Sequence, residues 1–382
     1  MNLPLLKKEK VFGKTVFLRV DLDVPLAKFE IRNSPQSNAA GTFDVPKFEI
    51  EDETRLLAWM PTLQFLLNNK TKVIVAGHLG RPTSKNQEFS LLPVAKWFAS
   101  NPLINNSSFL IQNTKIGEFD GWEITPKLFL LENLRFYKGE EENPTTASGQ
   151  VFAKKLAELS DIYVNDAFAT CHRNHASIVG VPRHLPHFAG LRLQKEVEVL
   201  GSVLENPVRP LVVVIGGAKI ETKLSLVEAM YKLADYILVG GKIARESETL
   251  SRIRVDNPRA KQATLMIADL NADKTDITQR SLAKFLEVIK NAKTVVWNGP
   301  VGLINSKLED GGTEKGTVGL AGGIAKSGAY TIVGGGDTVS FLRNNHLIDK
   351  FSFVSAGGGA MLAFLSKESM PGLKALISPQ IN

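Results

Sequence analysis

Lys219 and Lys223 stand four residues apart, just after the glycine pair Gly216–Gly217 in the stretch LVVVIGGAKIETK. Lysines at that spacing share a face if the segment is helical. Glycines let a backbone approach a ligand closely, and a helix N-terminus beyond them favours an anion. Together they make a phosphate cradle, or else a strand–helix turn with two solvated lysines. A second set is rich in arginine: Arg55, His78 and Arg81 in GHLGRP, Arg135 in ENLRF, and Arg173 in CHRNH. Guanidinium groups grip carboxylate and phosphate oxygens two at a time, although Arg81 and Arg135 could each be a solvated loop residue. Asp337 closes a GGG turn before an expected helix. There its carboxylate could meet a magnesium-bound nucleotide or merely cap the helix.

Other chemistries find less support. Cys171 and His172 are adjacent in sequence, and adjacent residues rarely bring their side chains together as a nucleophile and its base. With His175 they could ligate zinc, but no fourth ligand stands at finger spacing. Gly13–Lys14–Thr15 mimics the end of a P-loop, yet residue eight is Lys8 where glycine is needed, and a strand follows. GGGDT and AGGGA lack the last glycine of the dinucleotide fingerprint. Trp297 reads as core.

The elements that must position these residues alternate between strand and helix. Expected strands are Val16–Val20, Val73–Ala76, Phe109–Gln112, Leu128–Leu131, Asp161–Val164, Leu211–Ile215, Tyr236–Val239, Leu265–Ala268, Thr294–Trp297, Tyr330–Val333 and Phe351–Val354, short and β-branched. Helices are expected over Asp52–Leu67, with Pro61 a possible kink, from a Ser90 cap to Ala99, near Ser148–Leu159, over Leu185–Leu204, over Gln279–Lys290, and from GGGDT to Arg343. Residues 27–50 read as an inserted hairpin. The alternation predicts parallel, doubly wound sheets, and ligands then sit beyond the carboxyl ends of the strands. First-half loops carry arginine and histidine. Second-half loops carry glycine: GGAK, VGGK, NGPVG, GGGDT and AGGGA. One half would hold a small acidic substrate and the other a nucleotide, as in a two-substrate phosphoryl transferase.

Composition agrees. The 382 residues suit two domains of roughly 100–200 residues each. The net charge is +7, without clustered Lys/Arg runs, which favours small anions over nucleic acid. A single cysteine excludes an intramolecular disulfide. MNLPLLKKEK lacks the apolar core of a signal peptide, and no apolar run approaches the ~20 residues that span a bilayer. A cytoplasmic location with no membrane partner is the default expectation.

The set RVDLDVP, GHLGRP, LLENLRF, YVNDAFATCHRNHAS, GGAKIETK, TVVWNGPVG, GGGDT and VSAGGGA resembles the phosphoglycerate kinase family, in order, across nearly the whole chain. The resemblance implies two Rossmann-like α/β domains joined by a hinge helix. Residues 1–184 would bind 3-phosphoglycerate or 1,3-bisphosphoglycerate, 185–205 would be the hinge, 206–370 would bind ATP or ADP with Mg2+, and a tail at 371–382 would pack back on the first domain. A monomeric kinase of glycolysis and gluconeogenesis is implied, with transfer on domain closure. Asp21, Asp23, Arg55, His78, Arg81, Arg135 and Arg173 would hold the acidic substrate. Arg55 and Lys219 would be catalytic. Gly216, Lys219, Lys223, Gly240, Gly241, Gly302, Asn305, Gly334, Gly335, Gly336, Asp337 and Thr338 would bind the nucleotide, with Asp337 taking the metal. Gly357 and Gly358 would support the moving phosphoryl group.

Four residues depart from the family pattern. Asp23 stands where the family has Asn, so an anion faces an anionic substrate unless it is protonated or paired with arginine. Gly77 and Ala356 replace Ser and Thr. Asn305 replaces a ribose-binding Glu and loses charge-assisted strength. The segment at 245–278 is shortened. These departures leave a second expectation open, a ligand-binding protein of the same fold with impaired turnover. A nicotinamide dehydrogenase is disfavoured by the missing fingerprint.

Overall fold

Short β-branched runs between polar loops can be buried on both faces, and here they become central strands. The computed structural model describes residues 1–29, 47–104, 110–246, 249–250, 262–304 and 315–379. The chain divides into two units, Met1–Lys195 with the segment from Pro371 onward, and Glu196–Met370.

The first unit runs α1 (Lys8–Val11), β1 (Thr15–Arg19), β2 (Leu26–Phe29), β3 (Lys47–Ile50), α2 (Thr54–Asn68), β4 (Lys72–Ala76), α3 (Leu92–Ser100), β5 (Gln112–Ile116), β6 (Phe119–Thr125), β7 (Leu128–Leu131), α4 (Ala147–Ala157), β8 (Ile162–Asn165), β9 (His187–Ala189) and the start of α5 (Leu191–Glu205). Its seven-stranded sheet has the order β5-β6-β7-β4-β1-β8-β9. The pairs β7-β4, β4-β1, β1-β8 and β8-β9 are parallel, whereas β5-β6 and β6-β7 are antiparallel. The expected strand at Phe109–Gln112 is corrected here: the ordered pairing starts at Gln112, and Phe109 lies outside the described residues. Ile116 pairs with Phe119 across Gly117–Glu118, with Gly117 at φ +60°. That two-residue hairpin turn needs a residue tolerant of positive φ. Polar residues of β5 then blunt the sheet edge.

Pairing of β2 with β3 gives the expected hairpin its base, in a separate two-stranded sheet. Its residues 30–46 lie outside the described ones. Helix α2 begins at Thr54, whose N–H donates to Asp52 Oδ1 at 2.9 Å, and continues unbroken past Pro61. The expected helix at Leu185 starts six residues later, because His187–Ala189 pairs with β8 as β9. The α5 start is tied to α2 and β8. Leu191 N–H donates to Thr62 Oγ1 at 2.9 Å, and Leu193 N–H to Asp166 Oδ1 at 2.8 Å.

The second unit holds β10 (Leu211–Ile215), α6 (Ile220–Tyr231), β11 (Tyr236–Val239), β12 (Thr264–Ile267), α7 (Gln279–Lys290), β13 (Thr294–Asn298), α8 (Lys315–Lys326), β14 (Tyr330–Gly334), α9 (Gly336–Asn344), β15 (Phe353–Val354) and α10 (Gly358–Leu365). Its six strands are all parallel, in the order β12-β11-β10-β13-β14-β15. All five residues of β10 are buried, and Trp297 is core. The sequence tail forms α11 (Pro371–Ile377), which groups with the first unit. Gly372 N–H donates to Cys171 O at 2.9 Å.

The loops after β10, β11 and β13 are laced by main-chain bonds. Gly216 N–H donates to Asn298 O at 3.0 Å, Gly217 N–H to Pro300 O at 2.8 Å, and Gly241 N–H to Val301 O at 2.7 Å. Gly299 sits at φ +96°, and a Cβ there would lie 2.2 Å from Gly216 O. Gly299→Ala should therefore cost about 3 kcal/mol through strain and overpacking, read as a lower urea midpoint. Gly322, in α8 with no atom within 4 Å of a built Cβ, should tolerate alanine with a gain of up to about 1 kcal/mol. Equal effects at the two sites would contradict the laced-loop account.

Candidate functional site

In the first unit the cationic side chains at the strand ends are held by carboxylates. Arg55, in the first turn of α2, places Nη1 3.1 Å from Asp21 Oδ2 and 3.8 Å from Asp23 Oδ2. The two carboxylates raise its pKa further above the ordinary guanidinium value, against the opposing effect of burial. Burial pushes the Asp21 carboxyl up, and Arg55 partly offsets this. Trp59 Nε1 donates to Asp21 O at 3.1 Å and holds the loop against α2. Asp23 Oδ1 accepts from Gly80 N–H at 2.8 Å. Gly80 O accepts from Arg135 Nη1 at 2.5 Å. Arg135 Nε lies 2.9 Å from Glu141 Oε1, close enough for an ion pair but poorly aligned for a hydrogen bond. Burial lowers the pKa of this guanidinium.

The ENLRF loop is scaffolding for Arg135. Asn133 donates to Leu79 O and Phe89 O, both at 2.8 Å, and its Oδ1 accepts from Arg135 N–H at 3.1 Å. Glu132 accepts from Leu91 N–H and from Ser90 Oγ. Arg173 is half-buried and Arg81 exposed. A cavity of about 570 Å³ lies beside Asp23 and Gly80, walled by Leu26, Phe48, Leu79 and Phe89. The base of the inserted hairpin thus borders the arginine cluster.

His78 is 4% exposed. Its Nδ1 lies 3.1 Å from Arg19 Nη2, and its ring is edge-on to His175 at 6.2 Å between centroids. Sequence reasoning missed Arg19, Glu140 and Ser177, and weighed His175 only as a zinc ligand. Arg19 was findable: a charge within the buried strand VFLRV demands a buried partner, and Glu140, also fully buried, lies 3.8 Å away.

The second unit sets three helix N-termini beyond the carboxyl ends of its strands. Helix α6 follows β10, α9 follows β14, and α10 follows β15. Lys219 caps α6 in extended conformation and is exposed. Lys223 lies inside the helix and is 5% exposed. The expected shared face is corrected: the backbone at Lys219 (φ −85°, ψ 90°) precedes the first helical turn. Lys223 Nζ donates to Asn298 O at 3.0 Å and contacts Asn298 Oδ1. Burial lowers its pKa to about 7, with Asp337 opposing and Lys219 assisting.

Asp337 is exposed in the first turn of α9, beside Gly336, which has open space around it. Thr338 is buried and accepts from Gly299 N–H at 3.0 Å, so its hydroxyl braces the β13 loop. A Cβ on Gly334 would meet Met361, and one on Gly335 would approach Asn298. Built Cβ atoms on Gly216, Gly240 and Gly241 would strike Pro300 O, Val301 and Gly217 N respectively. Close approach of protein loops therefore requires these glycines, whatever they bind. Gly302 N–H donates to Thr317 Oγ1 at 3.2 Å. Gly357 caps α10, which opens at Gly358. Asn305 lies outside the described residues.

Two of the departing positions have structural answers. Asp23 is paired with Arg55 and the Gly80 N–H. A Cβ on Gly77 would collide with Leu22, which fills the space. Ala356 N–H donates to Glu196 Oε1 at 2.8 Å, a main-chain bond that does not explain the alanine. Among the described residues no group of three His, Cys, Asp or Glu side chains is placed to hold a metal alone.

The sequence profile of the phosphoglycerate kinase family matches residues 6–268 and 251–368. The chain is 34% identical over 427 aligned positions to a phosphoglycerate kinase of Leptospira biflexa, covering 99% of each protein. It is 36% identical to that of Desulforudis audaxviator, covering 96% of this chain and 97% of the other. The solved phosphoglycerate kinase of Coxiella burnetii superposes with a TM-score of 0.72 at 32% identity, covering 98% of this chain and 99% of that one.

The buried lysine makes a pH signature. The unfolded chain holds the Lys223 proton up to the ordinary lysine value of 10.5, whereas the folded chain releases it near 7. Between those values the unfolded state binds the extra proton, so this residue's contribution to stability rises with pH. Below that window both states are protonated and the cost is fully present. The stability of the wild type minus that of Lys223→Met should climb from pH 7 towards 10 in urea titrations. A flat difference would show that the ammonium is not destabilised by burial.

Proposed function

The chain belongs to the phosphoglycerate kinase family, and from that membership we propose how its residues divide the work. The reaction is reversible phosphoryl transfer between 1,3-bisphosphoglycerate and ADP, giving 3-phosphoglycerate and ATP, with a carboxyl group as the acceptor in reverse. The observation that carries the division is a segregation of anion-holding groups. Guanidinium groups cluster in the first unit, and helix N-termini with two lysines in the second.

Asp21, Asp23, Arg55, His78, Arg81, Arg135 and Arg173 take the acidic substrate. Arg55 and Lys219 stabilise the charge of the transferred phosphoryl group. Lys219 suits that role because it is exposed at the start of α6. Lys223, held neutral or cationic around pH 7, gains its proton fully when nucleotide phosphates arrive. The turn at Gly334, Gly335, Gly336 and Asp337 receives those phosphates. Gly216, Gly240, Gly241 and Gly302 contribute main chain to the base pocket, with Thr338 bracing it and Asn305 meeting the ribose. Gly357 and Gly358, at the α10 N-terminus, face the moving group.

Asp337 fits a magnesium partner: an exposed carboxylate beside open space that, among the described residues, belongs to no group of three potential ligands. It leaves most coordination positions to phosphate oxygens and water, as Mg2+ prefers. Bound there, the ion would neutralise phosphate charge as transfer proceeds. Direct transfer needs the two ligands to meet with water kept out, and we assign that closure to a hinge at α5. The enzyme is read as a cytoplasmic monomer acting on small molecules, with no nucleic-acid or membrane partner. Among the described residues no helix is long and apolar enough to cross a membrane. No observation favours impaired turnover: Arg55, Lys219, Lys223 and Asp337 are present, and the Asp23 charge is taken up by Arg55 and Gly80.

A coupled assay with 3-phosphoglycerate and MgATP tests the reading. Turnover is expected, with Lys219→Ala and Arg55→Ala each slower by about a hundredfold or more. Wild-type protein that binds both ligands in calorimetry yet does not turn over would overturn it.

A further inference from the structure

Arg19 enters no role described so far, yet it is the only charged residue of β1 and is fully buried. Its guanidinium is fixed on three sides. Nε donates to Ser177 Oγ at 2.8 Å, Nη1 to Val20 O at 2.5 Å, and Nη2 reaches His78 Nδ1 at 3.1 Å. Glu140 Oε1 lies 3.8 Å from Nη2 and offsets the charge. Glu140 is anchored in turn by Ser177, through Oγ at 2.6 Å and N–H at 3.0 Å, and Tyr163 OH donates to Ser177 O at 2.8 Å. Ser177 Oγ therefore donates to Glu140 and accepts from Arg19. Burial raises the Glu140 carboxyl, but His175, Arg19 and Ser177 more than offset this and keep it ionised.

This framework leaves His78 one option. Arginine has five N–H donors and no acceptor. A ring nitrogen facing it at hydrogen-bond distance must accept, so Nδ1 carries no proton and the single ring proton sits on Nε2. We propose that Arg19 is a positioning residue that fixes His78 as the Nε2–H tautomer, a hydrogen-bond donor and not a charge. Resting on the reading that His78 meets the acidic substrate, the donor serves that substrate's oxygens. The largest influences on the ring all push the same way, with the Glu140 carboxylate behind Arg19 as the nearby opposing charge. Burial lowers its pKa most, followed by Arg19 on β1, Arg135 from the ENLRF loop, and His175 and Arg173 from the CHRNH loop. His78 therefore adds no positive charge towards the substrate in the range where free histidine titrates.

Long-range 1H–15N correlation on the full-length labelled protein reads the tautomer directly. The expected result is a His78 ring that stays Nε2–H from about pH 5.5 to 8; a proton on Nδ1, or titration in that range, would overturn the proposal. Arg19→Met, which removes every donor, should give mixed tautomers or a titrating ring. An unchanged ring would overturn the role of Arg19. Should that variant not fold, the wild-type spectrum and a second pair of variants still decide. His78→Gln can place an amide N–H near the Nε2 position, and His78→Asn near Nδ1. By calorimetry with 3-phosphoglycerate, the glutamine variant should bind within about threefold of wild type and the asparagine variant at least about tenfold more weakly. Equal weakening, with the tautomer as expected, would overturn the donor role towards this substrate and count against the site reading, while leaving the Arg19 constraint standing.

Discussion

Guanidinium groups packed at the ends of neighbouring strands repel one another, and they stay there only because carboxylates hold them. Arg19 has Glu140, Arg55 has Asp21 and Asp23, and Arg135 has Glu141. The pairs differ in cost. Arg19 and Glu140 are fully buried, where removing one partner leaves an uncompensated charge and costs about 3–5 kcal/mol. Of the other partners, Asp23 and Glu141 still meet solvent, so their attraction is screened, whereas Asp21 is buried against Arg55. The fully buried pair fixes geometry, and the pairs of Arg55 and Arg135 each keep one carboxylate in solvent.

The second unit offers its main chain to negative charge. Parallel strands β10, β13, β14 and β15 lie side by side, so the helices that follow β10, β14 and β15 begin at one edge of the sheet. Their unsatisfied N–H groups and dipoles favour negative charge there. The loops can converge only if several positions lack side chains, and the bonds from Gly216, Gly217 and Gly241 close them together. Lys223 is drawn into this assembly through Asn298, and its lowered proton affinity follows from its burial. Lys219, one turn earlier and outside the helix, is exposed to solvent.

Much of this was legible in the sequence where a single principle dominates. Buried parallel strands are continuous apolar runs, so LVVVI and YILV were placed with their observed bounds, as was the amphipathic helix Gln279–Lys290. What escaped depends on partners distant in sequence. The strand β5 is polar, and only its partner β6 and the Gly117 turn make it a strand. The strand β9 was absorbed into the hinge helix because three residues carry no periodicity. The spacing of Lys219 and Lys223 implied a shared face, but spacing does not say where a helix starts. The Asp23 charge looked like an obstacle because its partners, Arg55 and the Gly80 N–H, lie 32 and 57 positions away in the chain. The family motifs located the arginines, while the buried Arg19–Glu140–Ser177 framework behind them is visible only in three dimensions.

The central claim is that charge kept ready in each unit acts on one transferring group, Arg55 from the first and Lys219 from the second. Residues that stabilise the same transition state act as a unit and are strongly non-additive. A double-mutant cycle on the single-turnover transfer step, with Arg55→Ala, Lys219→Ala and the pair, measures this. The account predicts a double variant only slightly slower than the worse single one. Losses that multiply, or a transfer step indifferent to either change, would contradict it.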